Sequence, residues 1–422
     1  MSAMRVLVIS QLFAPEMGAL PNRLAPLTRH LGRRGHDVFV ATGMPNYPKG
    51  EVFPAYRGKR FVREELEGAT VLRTRYYTTA RNVSKRKQLR SYLSFLPAVL
   101  RSGRRAGRVD VVFVTSPPIF PALPAILLAK LRRAKLVVDL RDLWPDEVIA
   151  VGAAREGSLS IRLLRLIERL MYRSADIVTC TTPAFSETIA ERGVGPQKRR
   201  LLPNGADLEL FRPLPRENEI AGAYGFGDKL VVMYSGLLGI KHGLETVIDA
   251  AALLRDREDV VFFIRGEGPR RDALEQQAQD LGLENVRFGG ESPIEEVPYL
   301  LARADVCVTT LLPDPYLEKI VSVKIFEYLA CEKPVVGALR GEGARVLEAS
   351  GGGIAIDPAD ARAMADAIRE LLDKPERRAE MGVAGRRYIE EHHSRAAIAA
   401  RLEELLGEVT HASPPAAPAP AE

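Results

Sequence analysis

LVVMYSGLLGIKHGLETVIDAAALL, residues 230–254, is the stretch on which the architecture turns. Its first four residues, Leu230 to Met233, are apolar without alternation, as in a strand covered on both faces of a parallel sheet. Three glycines, Gly236, Gly239 and Gly243, then surround Lys241. From Leu244 to Leu254 apolar residues recur at spacings of three and four, which predicts a helix. Strand, glycine loop and helix in that order make half of a right-handed βαβ unit.

The same unit recurs downstream. Val260–Ile264, Val286–Phe288, Val306–Val308, Val335–Val336 and Ile354–Ile356 read as strands, and Arg271–Leu281, Val297–Ala302, Lys324–Ala330 and Ala361–Leu372 as helices. Upstream, Val6–Ile9, Val38–Val40, Val111–Val114, Leu136–Val138 and Ile177–Val178 with Cys180 read as strands, separated by helical patterns such as Asn22–Arg34, Ala122–Arg133 and Leu159–Arg173. The expected fold class is α/β, with two doubly wound Rossmann-like domains facing a central cleft. The polar, Pro-bearing segment from Pro203 to Tyr224 predicts the junction. The expected organisation is residues 1–206 as an N-terminal domain, 207–228 as junction and 229–380 as a C-terminal domain. Residues 381–410 would be helices returning toward the first domain, and 411–422 a disordered Pro/Ala-rich tail.

Composition agrees with a folded protein of more than one domain. The chain has 422 residues, 46% hydrophobic and 27% charged, against about 150 residues for an ordinary domain. The apolar stretch from Val111 to Leu131 is broken by Ser116, Pro117, Pro118, Pro121 and Pro124, so no bilayer-spanning helix is expected. The N-terminus lacks a signal-peptide pattern, and three scattered cysteines read as reduced core thiols, so the expected location is cytoplasmic. The net charge of +6 conceals polarity: residues 1–210 hold 35 Lys/Arg and 18 Asp/Glu, residues 211–422 hold 25 and 36. Arg81 to Arg108 alone carries nine basic residues and no acidic one, including Arg81, Lys85, Arg86, Lys87 and Arg90. This stretch reads either as a solvated surface or as a patch for an anionic membrane. Nucleic acid is not expected, since few aromatics accompany the charge and the acidic second half would repel phosphate.

In parallel sheets, ligands bind at loops leaving the carboxyl ends of strands. After the first strand, Gly18 precedes a helix and suits either close backbone approach to a phosphate or a plain turn. Gly239 and Lys241 suit a diphosphate, or else a solvated turn. Arg265 and Gly266 form another strand-to-helix turn expected to face the cleft. In LEKIVSVKIFEYLACEKPVV, residues 317–336, Val321, Ser322 and Val323 lie at a helix start favourable to an anion. Lys324 and Glu327 share one helical face, as a surface salt pair or as contacts to diphosphate and ribose. Arg141 and Asp142 follow a buried strand. Asp142 is a candidate for orienting an acceptor hydroxyl or acting as base, or an Asp of this loop pairs structurally with Arg141. His36 reads as a turn residue. No closely spaced Asp/His cluster suggests a metal, so none is expected.

The ordered set VLVISQLFAPEMG (6–18), RRGHDV (33–38), MPNYPKG (44–50), VVDLRDLWPD (137–146), LPNGADLELF (202–211), YSGLLGIKHGLETVIDAA (234–251), IRGEGPRR (264–271) and SVKIFEYLACEKPVV (322–336) resembles family 4 retaining glycosyltransferases of the two-domain GT-B fold. It is most similar to bacterial members that assemble O-antigen and other surface polysaccharides. The resemblance implies sugar transfer from a nucleoside-diphosphate sugar, UDP favoured, to a saccharide acceptor, with anomeric retention and no further cofactor. It implies that residues 1–206 form the acceptor side and residues 229–380 the nucleotide-sugar-binding domain, that Lys241 contacts the donor diphosphate, that Glu327 binds the ribose and that Gly18 lies beside the transferring sugar. Ser322 and Lys324 would sit under the diphosphate, and Arg265 and Gly266 at a phosphate or base. The family's E-x7-E motif departs here: its first glutamate falls on Lys319, with Glu318 one place off. Either Glu318 serves by a shifted register, or the backbone of Ile320–Ser322 binds the sugar. The usual Arg ahead of Lys241 is also missing. The expected enzyme acts on a polyprenyl-diphosphate-linked saccharide, peripheral at the inner face of the plasma membrane. Two other classes stay open: a nucleotide-sugar 2-epimerase of the same fold, and a non-catalytic nucleotide or nucleic-acid binder.

Overall fold

The computed structural model describes residues 2–80 and 84–411; Arg81 and the Pro/Ala-rich tail from residue 412 lie outside the described residues. The first half of the chain runs β1 (Arg5–Ile9), α1 (Ala19–Arg33), β2 (Asp37–Gly43), β3 (Phe61–Leu66), β4 (Ala69–Thr74), α2 (Lys85–Gly103), β5 (Val111–Ser116), α3 (Ala122–Arg132), β6 (Lys135–Leu140), α4 (Asp146–Ala150), α5 (Leu159–Ser174), β7 (Ile177–Cys180), α6 (Pro183–Glu191) and β8 (Arg199–Leu201). These strands form one sheet in the order β3-β4-β2-β1-β5-β6-β7-β8. All neighbours are parallel except β3 and β4. Helices cover both faces. Phe95, Val99, Leu128, Met171 and Phe185 from α2, α3, α5 and α6 pack on one, and Leu24, Leu27 and Leu31 of α1 on the other.

The second half repeats the plan with α7 (Glu219–Gly222), β9 (Leu230–Ser235), α8 (Glu245–Leu253), β10 (Val260–Arg265), α9 (Arg271–Asp280), β11 (Val286–Gly289), α10 (Val297–Arg303), β12 (Val306–Thr310), α11 (Val323–Ala330), β13 (Val335–Ala338), α12 (Glu342–Ser350), β14 (Gly353–Ile356) and α13 (Ala361–Asp373). The sheet order is β11-β10-β9-β12-β13-β14, all parallel. Two closing helices follow, α14 (Pro375–His392) and α15 (Arg395–His411). The α15 side chains Leu402 and Leu406 pack into the N-terminal domain beside α1. Glu403 is held there by His30 Nε2 (2.8 Å), His36 Nε2 (3.2 Å) and Arg34 Nε (3.3 Å). His36 also accepts from the Met4 amide (3.1 Å), as a packing residue would.

Three features differ from the sequence reading. Helix α1 starts at Ala19, three residues early, because Pro21 sits in the first turn, where its missing N–H goes unused. β3 and β4 form an antiparallel hairpin through Glu67 (φ 54°) and Gly68 (φ 70°), both left-handed as a tight hairpin turn requires. The basic stretch after it is the 19-residue helix α2.

In each sheet the strand order reverses once, between β1 and β5 and between β9 and β12. Ligands of doubly wound folds bind at such points, beyond the carboxyl ends of the strands. The loops there carry Gly18 on one side, and Gly236, Lys241 and Ile320–Ser322 on the other.

Candidate active site

The two reversal points face each other across a cleft of about 420 Å³, lined from both domains. Gly18, Asn22 and Arg23 enter it at the start of α1, Arg141 and Asp142 after β6, and Gly236, Leu237 and Lys241 after β9. Ile320, Val321, Ser322, Val323, Lys324 and Glu327 line its floor, and Arg395 of α15 closes one end.

The floor is built around Lys324, whose side chain is buried. Gly236 has φ 150°, and a Cβ there would lie 3.0 Å from Lys324 Cε and 3.3 Å from Nζ, so glycine leaves the ammonium its room. Nζ donates to the Tyr234 hydroxyl (2.7 Å). Burial pushes the Lys324 pKa down to about 7, Glu327 opposing and Lys241 adding to the shift. Glu327 stands one turn on, 3.8 Å from the Arg395 guanidinium. Burial pushes its carboxyl up to about 7 against the pull of Arg395, Lys324 and Arg265. Both residues face the cleft, so the reading as a surface salt pair is corrected. Ser322 is the N-cap of α11 and makes no side-chain cap bond; its carbonyl accepts from the Ile325 amide (3.0 Å), and the helix start lines the cleft. Lys241 Nζ lies 3.4 Å from Glu147 of the N-terminal domain, and Trp144 Nε1 donates to the other Glu147 oxygen (3.1 Å).

On the opposite wall, Asp142 is 3.4 Å from the Tyr316 hydroxyl, which accepts from the Leu143 amide (3.2 Å). Burial, then the charge of Glu147, raises the Asp142 carboxyl well above the usual range, against Lys241 and Arg141. Arg141 donates to Thr115 Oγ1 (2.9 Å) and the Pro117 carbonyl (2.6 Å). The expected Arg141–Asp pair does not form. Asp139 instead takes both arms of Arg23, at 3.0 and 2.8 Å. Gly18, at φ 142°, caps α1, and a Cβ there would touch the Tyr47 ring at 3.4 Å. The loop before it is fixed by Glu16, buried and accepting from the amides of Phe13, Asn46 and Tyr47 at 3.1, 2.9 and 3.0 Å.

Three expectations are corrected. Glu318 is not among the cleft-lining residues. The short turn Leu317–Lys319 docks instead on α6, where Lys319 Nζ donates to Thr188 Oγ1 (2.9 Å) and the Lys319 carbonyl accepts from Thr182 Oγ1 (2.8 Å). Lys319, where the resemblance would put the first glutamate, is thus part of a clasp between domains, and Ile320 to Ser322 are what this loop offers the cleft. Arg265 and Gly266 lie behind the wall rather than in it. The guanidinium is held by Ser235 Oγ (2.9 Å) and Ser292 (Oγ at 3.1 Å, carbonyl at 3.0 Å), while Gly266 packs so closely that a Cβ would fall 1.9 Å from the Gly236 carbonyl. Gly239 turns the chain ahead of Lys241 without lining the cleft, a place taken by Gly236 and Leu237. Arg86, Lys87 and Arg90 are exposed on α2, which both readings of the basic stretch require; Arg81 and the side chain of Lys85 are outside the described residues. Sequence reasoning missed Arg23, Glu147 and Arg395. Only Arg23 had a local signal, in the first turn after the Gly18 loop. Among the described residues no group of three or more His, Cys, Asp or Glu side chains converges as a metal site would.

Two family profiles match in tandem: "Glycosyl transferase 4-like domain" over residues 18–205 and "Glycosyl transferases group 1" over residues 216–388. A GDP-mannose-dependent alpha-(1-6)-phosphatidylinositol monomannoside mannosyltransferase of Mycolicibacterium smegmatis is 32% identical over 256 residues, 59% of this chain and 67% of that protein. The chain belongs to the group 1 glycosyltransferases. This glycosyltransferase is also 29% identical, over 72% of its length and 75% of the relative's, to Escherichia coli WcaI, a glycosyl transferase named for colanic acid biosynthesis. Its GT-B fold, as expected, is shared with sucrose-phosphate synthase of Thermosynechococcus elongatus (TM-score 0.76, 19% identity, 97% of this chain and 100% of that one). It is shared as well with Anabaena HepE solved with UDP-glucose (TM-score 0.73, 19% identity, 96% and 100%).

Proposed function

We propose that this glycosyltransferase moves a sugar from a nucleoside-diphosphate sugar, a UDP-sugar first, to a lipid-linked saccharide in cell-surface polysaccharide synthesis, with retention and without a required metal. The observation that carries the donor half is the convergence of Lys324, Lys241, Glu327 and the α11 N-terminus on one cleft floor. Two ammonium groups and a helix start suit a diphosphate, and a carboxylate one turn along suits a ribose diol. The loop arginine that the resemblance would supply has no match here, and on this reading Lys324, given room by Gly236, contributes positive charge together with Lys241. As the anomeric C–O bond breaks, negative charge grows on the leaving diphosphate, where these cations already stand. Asp142, across the cleft with its carboxyl raised by burial, holds the attacking acceptor hydroxyl. Sugar contacts fall to Gly18 and the Ile320–Ser322 backbone.

The choice of acceptor is supported by the names of relatives, one for colanic acid and one for a phosphatidylinositol mannoside. Donor preference between UDP, as in the HepE complex, and GDP, as named for the mannosyltransferase, is decided by ligand-observed NMR with a panel of UDP-, GDP- and ADP-sugars. Selective binding with slow, EDTA-insensitive release of the nucleoside diphosphate is the expected result. Conversion to an epimeric nucleotide sugar, or binding to none of the panel, would overturn the reading.

A further inference from the structure

Helix α5 shows solvent a row of four leucines. Leu159, Leu163, Leu166 and Leu170, spaced by four, three and four, are exposed by 82%, 56%, 61% and 42%. The opposite side of the helix, through Ile161, Ile167, Met171 and Tyr172, is the one that packs on the protein. A run of large exposed apolar side chains on one helix is uncommon on a monomer and marks a docking surface. The row is not isolated. Helices α2, α3 and α5 lie side by side on the same face of the sheet, and the outer surface of that layer also exposes Leu89 and Leu93 of α2 and Leu127 and Leu131 of α3.

The charge around these leucines selects the occupant. The three helices hold eleven Lys and Arg against a single acid, Glu168, which is buried and bound to the Tyr172 hydroxyl (3.0 Å) and to Arg165 (3.2 Å). On α5 the exposed neighbours of the leucines are Arg162, Arg169 and Arg173. A second copy laid along this seam would bring arginines of one helix against arginines of the other, since they flank the row where paired helices place their charges. A bilayer rich in anionic lipid offers both things the face lacks, an apolar layer for the leucines and phosphates for the arginines. We propose that the outer face of α2, α3 and α5, with the leucine row of α5 as its insertion edge, docks this enzyme on an anionic membrane. This deepens the reading of the acceptor as lipid-linked, and it places the apolar contact on α5, with the basic stretch of α2 as an electrostatic flank.

The test is flotation of the full chain with vesicles of phosphatidylglycerol and phosphatidylcholine, and with phosphatidylcholine alone. The wild type is expected to float with the mixed vesicles only. The variant Leu159→Ser/Leu163→Ser/Leu166→Ser/Leu170→Ser is expected to lose about tenfold or more in vesicle affinity, and Arg162→Glu/Arg169→Glu/Arg173→Glu to stay unbound. Both keep wild-type nucleotide binding, which shows that they are folded and separates this proposal from the donor assignment. Undiminished flotation of the leucine variant would overturn it. So would loss of flotation only in Arg86→Glu/Lys87→Glu/Arg90→Glu, or a wild type that stays with the unbound fraction. A dimer that the leucine variant splits, read by sedimentation velocity, would make the face a contact between copies instead.

Discussion

Lys324 and Glu327 sit one helical turn apart, and burial moves both toward neutrality near pH 7, the lysine from above and the glutamate from below. An anionic diphosphate binds the charged lysine. Above about pH 7 the free site must therefore take up a proton when donor binds, and affinity falls by up to tenfold per pH unit. A ribose diol donates to the charged carboxylate, so below about pH 7 protonation of Glu327 weakens binding from the other side. Calorimetry across pH 5.5–9, taken as roughly the window spanning both shifts, is expected to give a maximum near neutrality. In Lys324→Met the alkaline limb flattens along with an overall loss of affinity, and in Glu327→Gln the acid limb flattens. Glu327→Ala is expected to cost about 1–3 kcal/mol of donor binding. A monotonic profile in the wild type, or unchanged donor affinity in Glu327→Ala, would remove these roles.

Among the elements, α4 is short but holds the two walls together. Asp146 is paired with Arg165 and Arg192, both at 2.7 Å, which fixes the helix. The next residue, Glu147, reaches Lys241 at 3.4 Å, across 94 residues of sequence. A donor diphosphate competes with this carboxylate for the same ammonium. Glu147→Gln is therefore expected to tighten nucleoside-diphosphate binding by severalfold, on the scale of a half-buried ion pair of about 1 kcal/mol; weaker binding in the variant would mean that Glu147 supports Lys241 rather than restrains it. Such contacts show where the sequence stops speaking. The Gly loop, Lys241 and the Lys324–Glu327 face could be read locally, because a strand end, a glycine and a helix start fix their direction. Glu147, Arg395 and the Lys319 clasp depend on how two domains meet, and no spacing encodes that. The leucine row of α5 was visible as a three-and-four pattern, yet periodicity alone could not tell a face turned to the sheet from one turned to solvent. Here the chain carries both patterns on one helix. The β3–β4 hairpin escaped for a different reason, since FVREEL mixes charges into its strand and only the positive φ angles of Glu67 and Gly68 declare the turn.

At the scale of the whole molecule, the chain passes between the domains twice, after β8 and again between α14 and α15, and the two passages lie against each other. The Ala206 amide donates to the His393 carbonyl (3.0 Å), and the Arg395 amide to the Ala206 carbonyl (2.9 Å), a single parallel bridge. Gly205 makes this approach possible: a Cβ there would stand 2.0 Å from the His393 carbonyl oxygen and 2.7 Å from Ile398 Cδ1. Neither neighbour can yield freely, one being backbone and the other packed in the core under α15. Arg395 follows directly, and its side chain faces Glu327, so displacing the bridge moves a wall of the donor site as well as the anchor of α15. Gly205→Ala is therefore expected to cost about 1–3 kcal/mol of stability, as an overpacked site does, and to weaken donor binding in the same variant. Gly222→Ala, at a glycine with nothing within 4 Å of its Cβ position, is the control and is expected to leave both unchanged. Thermal unfolding and calorimetry on the two variants separate the cases. Loss of stability without loss of donor affinity would confine the bridge to holding α15, whereas loss of both would make the paired crossings part of the framework that keeps Arg395 on Glu327.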